Sequence, residues 1–163
     1  MLKRISLCVT SSLVLACAPA AHAHIVDNVL EHSAPNAALQ LTPIGSHESG
    51  VLGKSAAEIV AYHAASQRIL TVNALSGKID VLDASDPASP TKVGEVSGGE
   101  NTTINSVAVR RDGLAVATVE PENKTDNGEL IFFDASADKL GAVLGKVSVG
   151  ALPDMVTITA DSS

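Results

Sequence analysis

Cysteine and aromatic residues are scarce in this sequence of 163 residues. The cysteines are Cys8 and Cys17, both in an N-terminal leader, so we expect no disulfide and no thiolate metal site after that leader. The aromatic residues are Tyr62, Phe132 and Phe133, and there is no tryptophan. So few rings leave little surface for stacking nucleic-acid bases or sugars.

Basic residues and long hydrophobic runs are also few. The formal net charge is −7, because 11 lysines and arginines stand against 18 aspartates and glutamates. An acidic surface repels polyanions, so no nucleic-acid partner is expected. The N-terminal apolar run holds about twelve residues, whereas a membrane-spanning helix needs roughly 20. The sequence therefore predicts no membrane span.

What the sequence does contain is an internal repeat. Residues 57–99 return as residues 105–150, with Val60 matching Val107, and a third copy begins at Asp154. Each complete copy holds four short apolar runs separated by turn residues. A four-stranded unit of roughly 40–50 residues is typical of a β-propeller blade.

The repeat predicts the fold class. We expect an all-β, incomplete β-propeller over residues 39–163, with two four-stranded antiparallel blades and the start of a third. Residues 39–44, which alternate apolar and polar side chains, are predicted to form an extra strand. The strands predicted within the two blades are 59–62, 68–73, 78–83, 91–96, 106–109, 114–119, 129–134 and 143–149.

The N-terminus has the pattern of an export signal. A basic start and the apolar run precede a small-x-small motif that ends at Ala23, so residues 1–23 are predicted to be a signal peptide. The polar residues 24–38 are predicted to be a flexible lead-in. An alternative motif at residues 14–17 resembles a lipobox and would leave a lipid anchor on Cys17. Both interpretations predict export to the periplasm, the extracellular space or the cell surface.

The number of units does not suffice for a closed ring. Cleavage after Ala23 leaves fewer than three units, whereas closed propellers need about four or more. Three explanations stay open: a truncated chain with missing blades, self-association of several chains into one ring, or a two-sheet sandwich.

Residues 55–87, 104–117 and 128–159 together resemble the start of bacterial choice-of-anchor I proteins, which are similar to mesenchyme-specific cell surface glycoprotein. The resemblance implies a multi-bladed propeller at or outside the cell surface, in a longer chain with a C-terminal anchor. Some relatives are described as alkaline-phosphatase-like or phytase-like. No catalytic motif of those enzymes matches positions here, so the resemblance implies no active-site residue.

Glu58, Asn105 and Asp154 recur at one place in the repeat, just before the first strand of each unit. In a propeller such positions converge on one end of the central channel. The hypothesis is a ligand-binding site for a cation or polar ligand there, because carboxylate and amide oxygens suit hard cations such as calcium. The alternative is that each side chain only bonds the loop that enters its strand.

The loop after the sixth predicted strand is a second candidate site. Glu120, Glu122 and Asp126 supply enough oxygens for calcium, although the spacing is not that of an EF-hand loop. The alternative is an ordinary solvated turn.

The aspartates and histidines outside these two sites are not expected to bind a ligand. Asp83 and Asp134 end the third strand of each blade and are predicted to cap the turns that follow. The histidines that follow the leader, including His47 and His63, lie in no zinc-binding pattern and are predicted to be solvent-exposed.

Two functions follow. The first is a non-enzymatic scaffold of an exported or cell-surface propeller that binds a protein or small-molecule ligand. The alternative, suggested by the resemblance, is part of a metal-dependent phosphoesterase with calcium as the candidate cofactor.

Overall fold

The computed structural model describes residues 36, 38, 39, 42–138 and 140–159. Within them the chain forms strands and no helix, so the all-β prediction is confirmed. The strands are β1 (Ala57–His63), β2 (Arg68–Asn73), β3 (Lys78–Asp83), β4 (Thr91–Val96), β5 (Thr102–Val109), β6 (Leu114–Pro121), β7 (Glu129–Asp134) and β8 (Val143–Ser148).

The strands form two separate antiparallel sheets. Sheet 1 has the order β1-β2-β3-β4 and sheet 2 the order β5-β6-β7-β8, so each strand pairs with its neighbour in sequence. The prediction of two separate four-stranded units is confirmed. β2, β3, β4 and β7 agree residue for residue with the predicted bounds. β5 begins earlier than predicted, because Thr102 to Ile104 pair with Pro121 to Val119 in β6.

The strand predicted at residues 39–44 is wrong at its described positions. Leu39 and residues 42–44 belong to no strand, and Leu39 is 77% exposed. An alternating pattern needs a neighbouring strand to satisfy its backbone groups, and sheet 1 pairs only its own four strands. The predicted signal peptide, Cys17 and nearly all of the predicted lead-in lie outside the described residues.

One hydrophobic core joins the two sheets, and β5 contacts β1, β2 and β3 of sheet 1. Directly paired residues share a face of an antiparallel sheet, which defines the two surfaces that meet. Sheet 1 contributes Leu70, Val72, Ile79, Val81 and Val96, and sheet 2 contributes Ile104, Val107, Ala115, Ala117, Val119, Ile131 and Phe133.

The two sheets meet through opposite faces of the repeat. Arg68 and Leu114 hold the same place, since each begins the second strand of its sheet and pairs with the aspartate that ends the third. In the core between the sheets, sheet 1 buries Leu70, two positions after Arg68. Sheet 2 buries Ala115, only one position after Leu114, so it uses the opposite face. We call the face of Leu70 and of its counterpart Val116 the front, and the face of Ala115 the back. The sheets therefore stack front to back.

Residues 153–159 lie against the front of sheet 2. Val156 and Ile158 line a cleft together with Val116. The backbone nitrogen of Val156 donates to Ser106 Oγ at 3.3 Å. In the preceding unit, β5 lies against the front of sheet 1 in the same way. Residues 149–159 belong to no strand, however, so the third blade stays a prediction.

Thr118 is a polar residue within this packing, at the position that Val72 holds in sheet 1. It is 1% exposed, and its hydroxyl has no hydrogen-bond partner among the described residues. An unpaired buried hydroxyl costs about 1–3 kcal/mol. We expect Thr118→Val to raise the free energy of unfolding by about 1 kcal/mol in urea titrations. The control is the same substitution at half-buried Thr71 of β2, Thr71→Val. A Thr118→Val protein of unchanged or lower stability would contradict the prediction.

Candidate functional site

β1 and β5 carry a bulge at the same place in the repeat. The register shifts beside Glu58 in β1 and at Asn105 in β5. Both residues were predicted to precede these strands, but they lie within them, because the ladders continue beyond the bulges to Ala57 and Thr102. A bulge redirects side chains and is common beside functional sites. The repeat thus places two predicted ligand residues at equivalent irregularities.

Asn105 is joined to Glu120, although the sequence placed them in two separate candidate sites. Asn105 Nδ2 donates to Glu120 Oε2 at 2.9 Å and to the carbonyl oxygen of Pro153 at 3.4 Å. Glu120 is only 8% exposed, and Lys124 Nζ lies 2.8 Å from its Oε1. The hydrogen bond from Lys124, followed by that from Asn105, holds the pKa of Glu120 below its usual range.

These residues form a cleft of about 390 Å³ at the bulged end of sheet 2, which we call the polar cleft. Sequence reasoning missed its threonines and Lys124. The run of β-branched residues at Thr102, Thr103 and Ile104 was the signal that β5 begins early enough to reach it. The lining residues are Asn101, Thr102, Thr103, Asn105, Glu120, Pro121, Glu122 and Lys124.

The other predicted site residues lie outside the lining of the polar cleft. Glu58 is exposed and accepts a hydrogen bond from Ser55 Oγ at 3.2 Å. Asp154 is exposed. Asp126 accepts a hydrogen bond from Asn123 Nδ2 at 2.9 Å within the β6–β7 turn. The structure therefore brings together Asn105, Glu120 and Glu122 but not the remaining three.

The ligand site predicted at Glu58, Asn105 and Asp154 and the metal site predicted at Glu120, Glu122 and Asp126 stay predictions, with calcium as the candidate cation. Among the described residues, no three or more histidine, cysteine or acidic side chains are grouped to hold a metal ion. Both carboxylate oxygens of Glu120 are held by donors from Lys124 and Asn105. A cation would have to displace the Lys124 ammonium group before it could bind Glu120.

The turn-capping prediction is confirmed in both sheets. Asp83 Oδ1 accepts the backbone N–H of Ser85 at 2.8 Å, and Asp134 Oδ1 accepts that of Ser136 at the same distance. Asp134 Oδ1 also accepts the Ser136 hydroxyl at 2.6 Å. Because these bonds favour the ionised form, the pKa of each aspartate lies below its usual range.

The prediction that His63 is solvent-exposed is wrong, since this residue is 4% exposed. Its Nδ1 lies 2.7 Å from Ser66 Oγ, and its Nε2 lies 3.2 Å from the carbonyl oxygen of Arg111 in the β5–β6 turn. The β5–β6 turn buries it, a contact between residues far apart in sequence. Arg68 joins the sheets beside it by donating to the carbonyl oxygens of Ala135 and Ala137.

The carboxylate of Glu120 gives the stability a defined pH dependence. Its pKa is lower in the folded than in the unfolded chain, so its contribution is present above about pH 5 and is lost as the pH falls through the folded-state pKa, below 4.5. We expect Glu120→Gln to cost about 1 kcal/mol at pH 7 and to lose less stability on acidification than the wild type. Urea titrations from pH 7 to pH 3 check this, with exposed Glu122→Gln as control. Parallel wild-type and Glu120→Gln profiles would refute it.

The described residues define a class of protein: an all-β domain built from repeated four-stranded sheets, with a polar cleft at the bulged end of one of them. Residues 58–163 match the family model described as "Choice-of-anchor I domain". The chain belongs to this family, and the resemblance found in the sequence is confirmed.

Comparison with solved structures finds a protein of unknown function from Bacteroides caccae, with a TM-score of 0.40 and 13% sequence identity. The similarity covers 56% of this chain and 28% of that chain. No curated protein sequence matches the chain. In the part of the chain that the structure describes, no helix has the length and hydrophobicity needed to cross a membrane.

Proposed function

We propose that the two sheets are consecutive blades of an exported β-propeller, which acts at the cell surface as a scaffold that binds a protein or a small polar ligand. Membership of the choice-of-anchor I family implies an exported or cell-surface protein.

The observation that carries the proposal is the repeated use of one face. The front of sheet 1 is covered by β5, and the front of sheet 2 is contacted by residues 153–159, which match β5 in sequence. Propeller blades pack in this manner, each against the next around an axis. A sandwich of two sheets gives no reason for a third segment to repeat the same contact.

The polar cleft is the proposed ligand site. It offers an acceptor in Glu120, donors in Lys124 and Asn105, and the hydroxyls of Thr102 and Thr103. Such a set of donors and acceptors suits hydrogen-bonding groups of a peptide or a polar small molecule. Asn105 also donates to the Pro153 carbonyl oxygen, so the polar cleft adjoins the segment that opens the third copy of the repeat.

The test is a binding screen of the full chain against a panel of short peptides and defined oligosaccharides. We expect a probe that binds the wild type and loses about tenfold or more in affinity with Asn105→Leu, because that change removes the bonds to Glu120 and Pro153. Asp126→Asn, outside the cleft lining, is the control. Probes that bind Asn105→Leu as well as wild type would contradict the proposed site.

The phosphoesterase alternative has its own measurement. Hydrolysis of p-nitrophenyl phosphate is compared with and without calcium, on the wild type and on Glu120→Gln. Calcium-dependent turnover that Glu120→Gln abolishes would replace the scaffold proposal.

A further inference from the structure

A second cleft lies between the two sheets, where β1 and β5 end, whereas the polar cleft lies near the bulge of β5. It has a volume of about 300 Å³ and is formed by the β1–β2 turn of sheet 1 and the β5–β6 turn of sheet 2. Both turns belong to units whose four strands are present, so the cleft does not depend on the segment that follows sheet 2. We call it the turn cleft. Its lining includes Tyr62, His63, Ala64, Ala65, Arg110 and Arg111.

Arg111 brings an uncompensated positive charge to the turn cleft. It is exposed, and its side chain forms no ion pair or hydrogen bond within the described part of the chain. The neighbouring Arg110 differs, because its Nε donates to Asp112 Oδ1 at 2.9 Å and its Nη2 to Asp112 Oδ2 at 2.6 Å. This pair engages the acidic group of the turn, so Asp112 does not neutralise Arg111. In a chain with a net charge of −7, such a guanidinium beside a cleft favours an anion.

The backbone that carries Arg111 is fixed from both sides. His63 is 4% exposed, and its Nε2 donates to the carbonyl oxygen of Arg111 at 3.2 Å, since a carbonyl oxygen only accepts. Within the turn, the backbone nitrogen of Arg110 donates to the Leu114 oxygen at 2.8 Å and that of Gly113 to the Arg110 oxygen at 3.0 Å. A turn that is already ordered loses little backbone freedom when a ligand binds to it.

The other side of the turn cleft is largely apolar. Tyr62 is 54% exposed, and the small side chains of Ala64 and Ala65 are exposed beside it. An aromatic ring and small side chains next to a cation suit an organic anion, because its charged group bonds to the guanidinium while its carbon skeleton contacts the ring. The volume of about 300 Å³ is at the lower end for ligand pockets and therefore limits the ligand to a small molecule.

We propose that the turn cleft binds a small organic anion, whose carboxylate or phosphate group pairs with Arg111 and whose carbon skeleton contacts Tyr62. The planar fork of a guanidinium group bonds to either of these groups through two parallel hydrogen bonds. The turn cleft shares no lining residue with the polar cleft, so the two sites can be tested separately and either can fail alone.

The fluorescence of Tyr62 reports directly on the turn cleft, because the chain has one tyrosine and no tryptophan. Succinate and glycerophosphate are titrated into the full chain at constant ionic strength, with glycerol as the uncharged control. We expect a saturable change in tyrosine fluorescence with at least one of the two anions and none with glycerol. A response to one anion alone identifies the group that the site accepts. Absence of a saturable response to both anions would overturn the proposal.

Three variants test the position of the anion. Arg111→Gln is expected to weaken binding by about tenfold or more, and Ala65→Glu, which places a negative charge on the facing turn, should weaken it similarly. Lys54→Gln removes the same charge from the exposed loop before β1 and should leave the affinity unchanged. Circular dichroism verifies that each variant is folded. Binding to Arg111→Gln that equals wild type, or an equal loss with Lys54→Gln, would show that the anion does not bind in the turn cleft.

Discussion

Replacing Phe133 with alanine is expected to lower the free energy of unfolding by about 3–5 kcal/mol. Phe133 is 1% exposed and lies on the back of sheet 2, in the core shared with sheet 1. Truncation leaves a cavity between two sheets that cannot easily collapse, since the strands on both sides are fixed by their ladders. This loss is a large share of the about 5–15 kcal/mol that stabilises a typical domain. Urea denaturation followed by circular dichroism measures it.

The neighbouring aromatic residue is the matched control. Phe132 lies next to it in β7 but on the front of sheet 2, where it is half-buried beside the cleft lined by Val156 and Ile158. Because part of its ring already contacts solvent, Phe132→Ala is expected to cost less than half as much as Phe133→Ala. Equal losses for the two variants would mean that the front-to-back assignment of the two faces is wrong.

The second large effect is expected at Gly128, in the turn before β7. A Cβ at this position would lie 2.5 Å from Pro153 Cγ and 2.8 Å from the carbonyl oxygen of Val119. The backbone oxygen cannot move without disturbing β6, so the new methyl group must displace Pro153. We expect Gly128→Ala to cost about 1–3 kcal/mol, the usual range for overpacking, and to speed amide exchange at residues 153–159.

A second glycine separates this contact from the general effect of glycine replacement. A Cβ at Gly145 in β8 would meet no atom within 4 Å, so Gly145→Ala is expected to be neutral or slightly stabilising. Amide exchange at residues 153–159 that is unaffected by Gly128→Ala would show that this segment does not depend on the contact with the turn.

The two glycines that precede the third strands show how far the repeat extends into packing. Gly77 and Gly128 hold the same place, and a Cβ at Gly77 would approach the backbone of Thr102 at 3.0 Å. In each case one crowding residue, Thr102 at Gly77 and Pro153 at Gly128, belongs to the segment that opens the next unit. Successive units therefore contact each other through the turn before the third strand as well as through the sheet faces.

The sequence predicted most of the local structure. Four strands agree with their predicted bounds, and the aspartates that end the third strands, Asp83 and Asp134, cap the turns as predicted. These features depend on residues close in the chain, where alternation and turn chemistry act directly. The predicted strand at residues 39–44 had the same alternation, but its described positions, 39 and 42–44, pair with no strand.

The candidate site was predicted less well, because its residues meet across the fold. The sequence assigned Asn105 and Glu120 to different candidate sites, whereas the pairing of β5 with β6 places them within hydrogen-bond distance. His63 had no signal of burial in its own neighbourhood, since the Arg111 turn that covers it follows 48 residues later.

The amino-acid sequence alone determined the repeated unit and its four strands, because backbone pairing within a hairpin is set by alternation and by turn residues. Tertiary structure decided which face of each sheet is buried and which polar groups share a cleft. Those outcomes depend on contacts between units, and the repeat pattern contains the same apolar residues whichever face the next unit covers.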